Sequence, residues 1–312
     1  MSLVQLAPYF SNEDKAIEFV ESLLWPEGPN CPHCGSVEKQ YRIKANPERK
    51  VRAGLHKCGQ KECRKQYTVK VGTIFEDSKI PLSKWLMAIA LMCSSKKGVS
   101  ANQLHRELEI SYKSAWFLCH RVRYAMTQEP LVGKLGSGGG IVEVDETYIG
   151  GKISNNRRRP YQGRGTVSKI PVMTLIERGG DVRTFKVPNV KRGTLQAIVL
   201  PNVDSTAHIM TDQHAGYKGL DKWFASHEAV DHSKHYVRGI IHTNFAESYH
   251  SLLKRGILGT FHHVSEKHLP RYLREFEYRW NSRKATDGER TIDAIRGAKG
   301  KRLMYQRPTL SV

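Results

Sequence analysis

Four cysteines constrain this chain more than any other feature. "CPHCGS" sets Cys31 and Cys34 with two residues between them, and "CGQKEC" sets Cys58 and Cys63 with four. Twenty-three residues, 35 to 57, separate the pairs. Each short pair offers two thiolates from one tight turn, where Gly35 and Gly59 relieve backbone strain, and four thiolates suit a tetrahedral Zn²⁺. Four protein ligands leave no open coordination position, so the expected zinc is structural. Residues 39–55 read as strand–turn–strand and "KQYTVKVGTIF" (65–75) as a further strand, together a zinc ribbon. His33 and His56 stand close enough in sequence to substitute as ligands. Cys93 and Cys119 fall singly in apolar helical stretches and read as core residues.

Disulfides are not expected. The N-terminus, "MSLVQLAPYFSNEDKAIEF", lacks a basic flank followed by an apolar run. The longest apolar stretch, "WLMAIALMC" (85–93), is far short of the roughly 20 residues of a membrane span. The expected location is the reducing cytoplasm, without membrane contact, where thiols stay unpaired. Charge then narrows the partners. Fifty Lys and Arg against thirty Asp and Glu leave +20 at pH 7, a field that attracts polyanions, nucleic acid foremost; a merely soluble basic surface is the plain alternative.

A helical block follows the cysteines: "PLSKWLMAIALMCSS", then "SANQLHRELE" capped by Ser100, then "SYKSAWFLCHRVRYAM" capped by Ser111. The last two, joined by a turn at Glu109–Ile110, have the layout of a helix-turn-helix. Ala115, Leu118, Cys119 and Val122 would face inward. Tyr112, Lys113, Trp116, His120 and Arg123 share the other face, which suits the major groove of double-stranded DNA. A three-helix bundle used for packing or dimerisation has the same pattern.

"GSGGG" (136–140) reads as a flexible boundary. Beyond it "IVEVDETYIGG", "IPVMTLIER" and "DVRTFKVP" read as strands, "GTLQAIVLPNV" as a helix and "AHIMTDQHAGY" as a strand ending in a polar turn. A short helix around "LDKWF", a helix in "HTNFAESYHSLLKRG" and a long helix in "SEKHLPRYLREFEYRWNSRK" complete the order. The fold class is α/β, an RNase-H-like mixed-sheet catalytic domain preceded by a zinc ribbon and a helix-turn-helix domain. Four segments are expected: 1–78 with the ribbon, 79–135 helical, 136–285 catalytic, and 286–312 a basic tail.

Two aspartates sit where apolar strands run out, Asp145 in "IVEVDET" and Asp212 in "HIMTDQHAGY". Carboxylates at neighbouring strand ends can hold two Mg²⁺ about 4 Å apart, the arrangement used for phosphodiester chemistry. A third acid usually completes such a cage. Glu247 lies 35 positions after Asp212 (247 − 212), and Lys254 lies two helical turns beyond it on the same face. Asn244 and Glu247 also fit a capping box, so the stretch by itself leaves Glu247 as either a cap or a ligand. Phe245, Tyr249, Leu252 and Leu253 would pack on the sheet. Glu143 shares the face of Asp145 and Glu146 does not. Asp231, His232, His235 and His242 lack a fixed ligand spacing.

The order Asp145, Asp212, Glu247, with Lys254 seven residues on, resembles the DDE insertion-sequence transposases. The chain is similar to their zinc-ribbon, ISXO-type branch over about residues 10–283. "GVSANQLHRELEISYKSAWFLCHRVRYAM", "VDETYIGGK", "TDQHAGY" and "HTNFAESYHSLLKRGILGTFHH…KHLPRYLREFEYRWNSR" carry the resemblance. It implies an RNase-H-like core, Mg²⁺ or Mn²⁺ at Asp145, Asp212 and Glu247, DNA ends as substrate, and a place in the bacterial nucleoid. Asn244 and Lys254 would serve that site, and a homo-oligomer is expected because two ends must be held together. Residues 150–169 hold Lys152, Arg157, Arg158, Arg159, Arg164 and Lys169 and no acid, a candidate DNA-clamping loop. "RGAKGKRLMYQR" is a second basic candidate. A nuclease that cuts without joining, and a DNA-binding regulator with an inactive domain, are the rival readings.

Overall fold

The chain enters as two helices, α1 (Leu3–Ser11) and α2 (Glu13–Leu24). Asn12 caps the second, its side chain accepting the Lys15 N–H, while Glu13 and Asp14 face the positive end of the helix. The computed structural model describes residues 3–128, 133–150, 169–230 and 239–304. It divides into two units, Met1–Thr127 with Ser282–Val312, and Gln128–Asn281.

In the first unit β1 (Gln40–Ile43), β2 (Leu55–Cys58) and β3 (Gln66–Tyr67) form an antiparallel sheet in that order. The third strand is shorter than the apolar run 65–75 suggested. Only its first residues pair with β2; Thr68 to Phe75 turn away into successive tight turns that bury Val69, Ile74 and Phe75. The helical block is α3 (Leu82–Ser94), α4 (Ala101–Glu107) and α5 (Tyr112–Ala125). Ser100 and Ser111 cap the last two as expected, accepting the N–H groups of Gln103 and Ser114. Glu109 takes a left-handed φ of 51° in the turn that joins them.

The second unit is a five-stranded sheet: β4 (Ile141–Ile149), β5 (Ile170–Glu177), β6 (Val182–Lys186), β7 (His208–Asp212) and β8 (Ser226–Val230). The spatial order is β6-β5-β4-β7-β8; β4, β5 and β6 pair antiparallel, whereas β7 lies parallel to β4, and β8 to β7. Alternation along β4 sends Val142 and Val144 into one core with α6 (Arg192–Asn202), where Leu195 and Val199 meet Met173 and Leu175 of β5. The other face packs Val172, Ile176 and Val182 under α7 (Asn244–Gly256) and α8 (Leu269–Asn281), against Tyr249, Leu253, Leu273 and Phe276. A strand was not expected at "SHEAV". Its first three residues are polar and half-buried, Ala229 is exposed and only Val230 is buried, and pairing with β7 makes them β8.

The glycine run at 136–140 is a fixed turn within this unit. Gly140 N–H donates to the Gly136 carbonyl, and at Gly136, where φ is +75°, a Cβ would lie 2.6 Å from Ala207. The segment expected as a basic tail holds a helix, α9 (Asp287–Arg296), with a full capping box of Thr286 and Glu289, and it packs on α3 in the first unit. Lys299, Lys301 and Arg302 then bond Leu24, Ala125, Thr127 and Asp77 of that same unit, so they are occupied at home. Among the described residues no helix is long and apolar enough to cross a membrane.

Candidate active site

The four cysteines converge. All four sulfurs lie within 4.8 Å of one another, with Cys31–Cys63 and Cys34–Cys58 each at 3.7 Å. A tetrahedron with Zn–S bonds of about 2.3 Å has an edge of about 3.8 Å, whereas a disulfide needs about 2 Å. The two turns match despite their unequal spacing. In each, the first cysteine N–H donates to the carbonyl two residues after the second cysteine: Cys31 to Ser36, Cys58 to Lys65. In each, the residue following the second cysteine has positive φ, Gly35 at 74° and Arg64 at 52°. The two extra residues of the second turn therefore leave its frame unchanged. His56 is not a substitute ligand; its Nε2 sits 2.9 Å from Glu21 and its ring stacks on Tyr67. The donor set fits a closed structural zinc.

The acids assemble differently. β4 and β7 run parallel, pairing Ile141 with His208 and Glu143 with Met210. Two residues further along each strand stand Asp145 (143 + 2) and Asp212 (210 + 2), level with each other and on one face. Asp145 is not at a strand end, because β4 continues to Ile149 through its pairing with β5, Asp145 opposite Thr174. What ends there is the ladder to β7. The two aspartates mark the fork where the parallel strands part, the edge where open α/β sheets gather ligands.

α7 lies across β4 and β5 and brings Glu247, His250 and Lys254. Glu247 and Lys254 are exposed; His250 is buried. His250 Nδ1 lies 3.5 Å from Asp145 Oδ2, and its Nε2 lies 2.9 Å from Thr174 Oγ1. Burial, reinforced by Lys254, pushes His250 down to about 3 and keeps it neutral. Burial, then the charges of Glu146, Asp212 and Glu247, pushes Asp145 up to about 7, even though the Glu146 N–H donates to it at 2.8 Å. Glu146 is raised as well, by burial and by Asp212. A set of hard oxygen donors, half-buried at Asp145, Glu146 and Asp212 and exposed at Glu247, in which burial and then neighbouring charge raise Asp145 this far, fits a divalent cation. The acids are less tightly gathered than the thiols; among the described residues only the cysteines bring three or more ligand atoms within 4.8 Å.

The start of α7 corrects the expected capping box. The cap is Thr243, which makes no side-chain cap bond, and Asn244 is exposed in the first turn. The N–H groups of Phe245 and Ala246 donate instead to Glu143 Oε2, at 2.9 and 3.0 Å. Phe245, expected on the sheet, is 40% exposed and stacks on His242. On the opposite face of β4, Glu146 accepts the Tyr217 hydroxyl and lies 3.9 Å from His214 Nδ1. His214 N–H in turn donates to Asp212 Oδ1 at 3.0 Å.

The sequence reading missed His250, although its place between Glu247 and Lys254, three and four residues away, was a usable signal. It also missed Arg178 and Tyr217, whose partners lie far off in the chain. Among the candidate DNA contacts, Lys113 is exposed in the first turn of α5, with Tyr112 at 54%. His120 and Arg123 are corrections. Their half of α5 is enclosed, leaving them 0% and 2% exposed, out of reach of a groove. Lys152, Arg157, Arg158, Arg159 and Arg164 lie outside the described residues, as do Asp231, His232 and His235.

With this geometry established, the comparisons with known proteins agree in order along the chain. A model of the ISXO2-like transposase domain matches residues 138–281, and one of a transposase zinc-ribbon domain matches residues 11–66. The chain is 27% identical over 288 residues to an uncharacterized protein in transposable element ISH50 of Halobacterium salinarum, covering 86% of this chain and 91% of that one. It is 32% identical over 101 residues to an uncharacterized transposase-like protein of Haemophilus influenzae, covering 32% of this chain and 81% of that protein.

Proposed function

The chain belongs to the ISXO2-like transposase family, and from that premise we propose that it is a DDE transposase that cleaves the ends of an insertion sequence and joins them to target DNA. The observation that carries the reading is the register of β4 and β7, which sets Asp145 level with Asp212 on the face that α7 covers. The strand order β6-β5-β4-β7-β8, with helices on both faces, supports an RNase-H-like catalytic domain. The capped pair α4–α5, with Lys113 exposed at the start of α5, supports a helix-turn-helix that meets the element's terminal repeat beside the zinc ribbon.

Asp145 and Asp212 hold the divalent cations, Mg²⁺ or Mn²⁺, and Glu247 completes the cage from α7. Bound there, the ions supply Lewis-acid activation of the attacking oxygen and stabilisation of the leaving one. Asp145 accepts its neighbour's N–H, and the ring of His250 stands beside it, Nδ1 3.5 Å from Oδ2. Lys254 offers its charge to a phosphate on the same helix face. In the first displacement water attacks a phosphodiester and the strand leaves as a 3′-OH. In the second that hydroxyl attacks a target phosphodiester, releasing a target 3′-OH. Arg157, Arg158, Arg159 and Arg164 add sequence-independent phosphate contacts, and the protein works as a homo-oligomer on double-stranded DNA.

A strand-transfer assay with element ends and Mg²⁺ tests this. Joined product is expected from the native chain, and none from Glu247→Gln. Cleavage without joining would make it a nuclease, and binding without cleavage a regulator.

A further inference from the structure

β4 carries Asp145 and, two residues earlier on the same face, Glu143, whose side chain has no solvent exposure. Its two oxygens have separate partners. Oε1 accepts Arg178 Nε at 2.8 Å and lies 3.2 Å from His242 Nδ1. Oε2 accepts the N–H groups of Phe245 and Ala246, first-turn donors that α7 cannot satisfy from within. Arg178 also donates to the His242 carbonyl at 3.0 Å, fixing the chain just before the helix. The helix is thus capped from a strand 102 residues earlier in the chain. Glu247 is the next residue after the capped pair.

One side chain therefore joins the strand of the first acid to the helix of the third. We propose that Glu143 is a positioning residue that sets the rotation and height of α7 on β4, so that Glu247 closes on the same divalent cation as Asp145. This rests on the catalytic reading above. Glu143 itself does not ligate: both its oxygens are engaged, and they point at the helix terminus and at Arg178. Glutamine in its place turns an NH₂ group toward donors on one side or the other.

The test uses the full, zinc-loaded chain and Mn²⁺ as probe. Glu143→Gln is expected to weaken Mn²⁺ binding, measured by calorimetry or electron paramagnetic resonance, by about 10–100-fold. Cleavage falls at limiting Mn²⁺ and recovers at saturating Mn²⁺, a pattern that general unfolding does not give. Hydrogen exchange at Phe245 and Ala246 speeds up, while Leu252 and Leu253 keep their protection. Should the single variant not fold because Arg178 is left uncompensated, Glu143→Gln with Arg178→Gln removes both charges and is expected to show the same loss. Native Mn²⁺ affinity in a folded variant overturns the proposal. If Asp145→Asn leaves Mn²⁺ binding of the otherwise native chain unchanged, the catalytic reading is what has failed; the exchange at Phe245 and Ala246 still reports the cap by itself.

Discussion

Cys31 reaches Cys34 within one turn of chain, whereas Asp145 meets Asp212 only after 67 intervening steps (212 − 145) and Glu247 after 35 more (247 − 212). The sulfurs come ready gathered, because each pair is set by local backbone bonds and one small sheet brings the pairs together. The acids depend on strand pairing and helix packing, and they repel one another when they arrive. A site built that way needs side chains that hold the elements together. Glu143 and Glu146, flanking Asp145 on opposite faces of β4, contact the start of α7 and the turn after Asp212.

The contrast can be broken most forcefully at the thiols. Cys58→Ser is expected to lose zinc and unfold the ribbon, forfeiting on the order of 10 kcal/mol of metal-linked folding energy. Metal content and amide exchange over 31–67 read this. Mn²⁺ binding by the carboxylates should not change. At the acids the signs should split. Asp145→Asn is expected to lower cleavage roughly 10³-fold, about 4 kcal/mol of transition-state stabilisation, yet to raise the melting temperature of the metal-free chain at pH 8. The gain arises because the asparagine removes a buried charge that its neighbours oppose.

The pH dependence sharpens the same point. The folded carboxyl of Asp145, at about 7, is raised above the unfolded value of about 4, so its contribution to stability is full below pH 4 and is lost as pH rises to about 7. Metal-free melting temperatures should fall across that window, and added Mg²⁺ should restore them; a flat profile would mean that Asp145 is neither desolvated nor crowded. The smallest effect is expected at Asn244→Ala. With the cap supplied by Glu143, chemical denaturation should change by less than about 0.5 kcal/mol, against about 1 kcal/mol for a true cap residue.

Much of this was readable because it is local. Ser100 and Ser111 cap the helices they precede, and the apolar spacing of Leu269, Leu273 and Phe276 buries one face of α8. Alternation placed Glu143 and Glu146 on opposite faces of β4. The failures share a different cause. His120 and Arg123 have the right helical spacing for a DNA-reading face, but α3 and α9 pack on α5 and bury it. The capping box at Asn244 and Glu247 had the right residues, yet a buried carboxylate from β4 occupied the donors first.

By itself the sequence determined which side chains carry metal-binding atoms, where the helices capped by Ser100 and Ser111 begin, and which face of β4 is apolar. Those properties follow from bond geometry, side-chain chemistry and the periods of helix and strand. Only the tertiary structure decided that Asp145 stands level with Asp212, that Glu143 rather than Asn244 caps α7, and that Glu247 is left exposed beside the acids. Each of these depends on which distant segments become neighbours, and pairing register and burial settle that only when the whole sheet and its helices have closed.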